Sequence, residues 1–220
     1  MAKIFDRGFN DYSNVVIGDK FTNEASYIIG YWGAGDILVD IAIKLNSPKR
    51  DRLFFPICYN YRQFVELCLK QLILEAEEIY FILENNNMQN KKYNHKFSEK
   101  INKTHSIDKL LNWLIIILDC FTNEKISKDI IKYILEYHNM DKTGQRFRYH
   151  KSTENEIHFE IREDYDLEKI KYAINKIGNY LMGIDAYLYE FGNFTKTYIS
   201  EMENSLYNLG YNYQENYYFR

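Results

Sequence analysis

Residues 54–83 read FFPICYNYRQFVELCLKQLILEAEEIYFIL, and the spacing of their apolar side chains sets the fold class. Phe54, Ile57, Cys58, Tyr61, Val65, Cys68, Leu69, Leu72, Ala76, Ile79, Tyr80 and Leu83 recur at steps of three and four, the period of one buried helical face. This predicts a helix from about Arg50 to Glu84, with Pro56 near its first turns. Along the edge of that face Arg62, Glu66 and Lys70 follow one another at strict four-residue intervals. Each such step turns a helix by about 40°, so the three form a narrow stripe. On a solvated flank the stripe would be a run of ion pairs worth about 0.2–0.5 kcal/mol each.

Outward from this segment the chain stays helical in character. Its 220 residues are 46% hydrophobic and 27% charged, and Pro48 and Pro56 are the only prolines. No Pro/Gly/Ser-rich stretch divides the chain, so a single domain, 1–220, is expected. Upstream, TNEASYIIGYWGAGDILVDIAIKLN (22–46) begins with N-cap residues and sets Ile28, Trp32, Ile37, Ile41 and Leu45 near helical spacing. Its Gly30, Gly33 and Gly35 suggest either close packing by a neighbour or a kink. Downstream, ENNNMQNKKYNHKFSEKINK has no apolar period and reads as a polar loop. Thr104 or Ser106 can cap a third helix through Phe121, and Ser127 a fourth through KDIIKYILEYHNM. In RFRYHKSTENEIHFEI the apolar residues alternate, the pattern of a small β-hairpin over 146–161. Asp166 caps a helix to Phe191, and a last helix covers Phe194 to Leu209, with a tail that docks or frays. The expected fold is all-α, a bundle of about six helices with that hairpin inserted.

Composition excludes several classes. MAKIFDRGFNDY lacks an apolar run of signal-peptide length, and LLNWLIIILDCF is too short to span a bilayer, so no membrane association is expected. Cys58 and Cys68 lie about 15 Å apart on one helix, and Cys120 has no obvious mate, which suits a reducing, cytoplasmic setting. The 21 tyrosines accompany abundant Ile, Asn and Lys, a composition that codon bias supplies. Net charge is −3, but residues 91–109 and 141–151 are basic, while 152–220 carry twelve acids against six bases. GYWGAGD lacks the strand and the Lys-Ser/Thr of a phosphate loop. His105 and Asp108 offer two metal ligands without a third, so neither metal nor cofactor is expected.

Three segments in order carry a family resemblance: DRLFFPICYNYRQFVELCLKQLI, then THSIDKLLNWL, then MDKTGQRFRYH. Together they are similar to bacterial proteins of the HEPN superfamily (higher eukaryotes and prokaryotes nucleotide-binding), over roughly residues 30–150. The resemblance implies a helical bundle, often dimeric, from toxin, abortive-infection and RNA-processing systems, many of whose members cut RNA without a metal. It implies RNA or a nucleotide as ligand, a homodimer, and an antitoxin or defence-system partner. The family's hallmark, an Arg and a His separated by four to six residues, is absent: three residues separate Arg146 from His150 and nine separate Arg148 from His158.

A substitute constellation follows from residue chemistry. His105 opens a helix, where the dipole favours the neutral imidazole of a general base, with Arg62 and Glu66 as its catalytic companions. Arg148, Lys70 and Arg146 are the candidates for phosphate or RNA binding. Asp141 and Tyr149 are assigned to a structural polar seam joining the Phe-Arg-Tyr segment to the Arg62 helix, since buried charges must be paired. The other expectation is a catalytically inactive bundle that dimerises or regulates a partner protein.

Overall fold

The structure is a computed structural model that describes residues 23–94 and 96–218 together with Val15, Ile17 and Gly18, with the backbone alone from 208 onward. Six helices follow in order: α1 (Glu24–Ala42), α2 (Ser47–Asn85), α3 (Ser98–Ile101), α4 (Ile107–Leu118), α5 (Lys128–Met140) and α6 (Leu167–Tyr218). The chain is an all-α bundle, and among the described residues no helix is long and apolar enough to cross a membrane.

Helix α2 is the spine. Pro48 occupies its first turn, where the missing amide has no partner to lose, so the helix starts earlier than Arg50 and Pro56 lies inside it. The Asn60 side chain donates to the Pro56 carbonyl at 2.7 Å. The apolar face from Ile57 to Leu83 is buried, and α1, α3, α4 and α6 all pack on this helix. At about 1.5 Å per residue its 39 residues span about 58 Å, enough to hold elements at both ends.

Helix α1 is capped by Asn23, whose side chain accepts from the Ser26 amide at 3.1 Å. Its buried face runs through Ile28, Gly35, Val39 and Ala42, whereas Ile37 and Ile41, expected inside, are exposed. Gly35 decides this rotation. A Cβ there would lie 2.4 Å from the Tyr61 ring, so only glycine lets that ring in, and the Tyr61 hydroxyl then donates to Asp36 at 2.7 Å. Gly30 and Gly33 have no neighbour within 4 Å of such a Cβ, so close packing is confined to Gly35.

Three other expectations are corrected. The loop after α2 is not simply polar: Tyr93, Phe97 and Ile101 are buried, α3 forms within it, and the buried Glu77 carboxylate accepts from the Tyr93 hydroxyl and from the Phe97 and Ser98 amides. The β-hairpin over 146–161 does not form. Its amides are taken by turns, Arg148 and Tyr149 both donating to the Gln145 carbonyl, and a single bridge joins Lys151 to Ile157. Phe147 and Phe159 pack on Phe54, but Ile157 is 41% and Ile161 78% exposed, so the alternation is buried only in part. Finally, α6 runs unbroken through Gly192, which sits against Ile79 of α2 instead of ending the helix. The tail is helical to Tyr218; its side chains, with residues 219–220 and Thr22, lie outside the described residues.

Gly35→Ala should cost about 1–3 kcal/mol by overpacking against Tyr61, whereas Gly33→Ala, in the same helix with open space around it, should be neutral or gain up to about 1 kcal/mol. Urea unfolding of the two variants checks this; equal effects would mean that Tyr61 does not fill the Gly35 notch.

Candidate functional site

One turn of α2 after Tyr61's neighbourhood the four-residue stripe leaves the core for the surface. Arg62 is fully buried, Glu66 is 4% exposed, and the Lys70 side chain is 14% exposed. Glu66 is the hinge between them. Its Oε1 lies 2.8 Å from Lys70 Nζ and 2.8 Å from His105 Nδ1, and its Oε2 lies 3.8 Å from Arg62 Nη2. The His105 ring itself is solvent-facing, with its side chain 64% exposed. When the Nδ1–H donates to Glu66, the other ring nitrogen is left with a lone pair for a ligand.

Arg62 holds the surroundings in register. Its Nη2 donates to the His105 carbonyl at 2.6 Å, and its Nε faces Asp141 Oδ2 at 3.4 Å. The other Asp141 oxygen accepts the Gln145 and Arg146 amides, which curls 141–146 into a tight turn. Gly144 has φ of 76° there, and a Cβ would lie 3.2 Å from both Arg62 Nε and Nη2, so glycine serves conformation and clearance together. Arg62, Glu66, Lys70, His105 and Asp141 are thus contiguous.

The remaining candidates are set differently. Arg148 is exposed; its Nε donates to the Gly144 carbonyl at 2.7 Å and its guanidinium stands over the Tyr59 and Tyr149 rings. It reaches the stripe only through Gly144, and Asp141 pairs with Arg62 instead of with Arg148. Arg146 turns away, donating to the carbonyls of Met140 and His158 and lying over Phe159. Tyr149 is 56% exposed. Of the two residues considered as metal ligands, His105 faces Glu66 while Asp108 faces His138, so the pair diverges. Among the described residues no three His, Cys, Asp or Glu side chains are placed to hold a metal ion.

His138 also enters the site, at the four-residue spacing of the buried Ile130 and Ile134 of α5. It is buried, and its Nε2 lies 3.4 Å from Asp108 Oδ1, which also accepts the Ser106 hydroxyl. Burial pushes the imidazole below its ordinary value, Asp108 and Asp141 oppose that, and Arg62 and Lys142 reinforce it. Burial works to raise the Asp108 carboxyl, but the Ser106 hydroxyl, the Lys109 amide and the His138 and Lys109 charges together hold it below 3.8. Searches of protein-family models, curated proteins and solved structures gave no match to this chain.

Arg62→Leu should cost about 3–5 kcal/mol because buried carboxylate is left uncompensated, and adding Asp141→Asn should restore part of the loss. A double-mutant cycle by urea unfolding reads this; strict additivity would deny the coupling. A second outcome concerns pH. His138 is harder to protonate folded than unfolded, so the unfolded chain binds more protons and stability falls as pH drops through 6.5. Asp108 adds its own loss only as pH falls below 3.8. Unfolding followed between about pH 5 and 8 should show a slope that His138→Gln flattens; an unchanged slope would refute the assignment.

Proposed function

We propose that this chain is a HEPN-like helical domain that binds RNA and cleaves it without a metal, with His105 as the base. The observation that carries this is the exposed imidazole of His105, fixed at Nδ1 by a carboxylate 2.8 Å away that is itself nearly buried. A solvated histidine has no need of such a partner. Glu66 orients the ring, and Arg62 fixes the backbone on which His105 stands. In the reaction the 2′ oxygen bonds to the neighbouring phosphorus as its proton passes to His105 Nε2, the bond from phosphorus to the 5′ oxygen breaks, and the leaving oxygen takes a proton from water. The products are a 2′,3′-cyclic phosphate and a 5′ hydroxyl.

Lys70 beside Glu66 and Arg148 above Gly144 supply charge for the phosphates that flank the scissile one. Lys109 and Lys142 are exposed, and their charges act on Asp108 and His138 respectively. Arg146 has no such part, because its guanidinium is engaged by backbone carbonyls. A different class of function, a regulatory module that dimerises or holds an antitoxin or defence-system partner, draws on the exposed Phe194, Met202 and Leu206 of α6 and on the absent Arg-His spacing.

Purified protein incubated with total RNA and tRNA in chelator should release fragments ending in 2′,3′-cyclic phosphate. His105→Gln should slow release about 10²–10⁴-fold with unchanged melting, since the side chain is mostly solvated. Cleavage that survives in His105→Gln, or none at any protein concentration, would remove the enzymatic proposal; a stable complex with another protein would then favour the module.

A further inference from the structure

Between α5, the start of α6 and the first half of α2 lies a cavity of about 650 Å³, lined by none of Arg62, Glu66 or His105. Its size is that of pockets for small organic ligands. The walls are aromatic: Phe54 from α2, Tyr133 and Tyr137 from α5, and Phe147 and Tyr165 from the segment between α5 and α6. Phe54 and Tyr165 stack on each other with centroids 4.9 Å apart and planes within 17°. The Tyr137 hydroxyl is spent on the Cys58 carbonyl at 2.6 Å, so that residue offers its ring and not a polar handle.

The floor and the rim narrow the ligand further. Cys58 lines the floor, and burial pushes its thiol up to about 12, so it stays a neutral apolar surface and no covalent step is available. At the rim stand Glu136, Asp166 and Glu168 against one base, Lys169. The Asp166 carboxylate already accepts the Glu168 and Lys169 amides as the cap of α6. Glu136 and Glu168 are exposed. An anion would meet carboxylates and the negative faces of the rings, and a neutral aromatic would gain nothing from the rim. A flat cation satisfies walls and rim together.

We propose that this cavity binds a planar aromatic monocation, its rings against the aromatic walls and its charge toward Glu136 and Glu168. Calorimetric titration with N-methylquinolinium and with its uncharged analogue quinoline, at neutral pH and without RNA, tests it. The cation should bind about fivefold tighter than the neutral compound, and Glu136→Gln with Glu168→Gln should bring the two toward equality while leaving quinoline unaffected. Tyr133→Ala should weaken both compounds. Equal affinity for cation and neutral in the unaltered protein, a preference that survives the double glutamine variant, or no heat from either compound would overturn the proposal. The exposed position of both glutamates keeps folding out of the comparison, which melting curves verify.

Discussion

A guanidinium with no exposure to water is the constraint around which this bundle is arranged. Moving such a charge out of solvent costs several kcal/mol even after relaxation, and it is tolerated only where partners surround it. Arg62 finds them on three separate pieces of chain: Glu66 one turn along α2, the His105 carbonyl before α4, and Asp141 after α5. The shortest contact is the hydrogen bond to the carbonyl at 2.6 Å, while the carboxylates stand at 3.4 and 3.8 Å. Neutral backbone therefore carries the tightest link and the carboxylates balance charge from further away. A lysine would offer a single nitrogen in place of the planar fork, so its donors would radiate from one point instead of reaching partners from separate nitrogens. The result is register more than net stability: the start of α4 and the turn at Gly144 are fixed relative to one point of α2.

Along the same stripe the environment changes from wholly buried at Arg62 to mostly solvated at His105, and Glu66 bridges the change. A carboxylate anchored from below and touching an imidazole above is a rigid support for a group that must exchange protons with water. Lys70 shares the same carboxylate oxygen, so Glu66 divides its charge between a permanent cation and a titratable ring. His138 and Asp108 form a second pair at the first turn of α4. Two histidines thus flank the start of that helix, one exposed and one buried.

Helices α1, α2, α4 and α5 are legible because each carries a strong local signal: the three-four spacing of α2, the capping Asn23 before α1, the apolar face of α4, and the serines that stand at the N-cap positions of α4 and α5 although their side chains make no capping bond. The stripe was readable for the same reason, since residues four apart on a helix must be neighbours. What escaped depended on partners distant in sequence. The rotation of α1 turns on one notch at Gly35 that admits Tyr61, and Gly33, two residues earlier, gives the same local signal without a neighbour. The loop around Tyr93 looked polar because its organiser, Glu77, lies on another helix and in sequence resembles any surface glutamate. The hairpin pattern over 146–161 was a true alternation, but Phe147 and Phe159 alternate to reach Phe54, not to form a ladder.

That last segment shows how an irregular stretch can be held as firmly as a helix. Residues 141–166 have two anchors of different physics: charge and amide capture at Asp141 and Gly144, and ring packing of Phe147, Phe159 and Tyr165 on Phe54. Both anchors lie on α2, whose rigidity fixes the distance between them. The first anchor depends on charge held out of water, the second on apolar surface removed from it. Loosening one anchor therefore leaves the other in place, so the turn over Arg62 and the aromatic wall of the cavity beside α5 are stabilised by separate forces on a common helix.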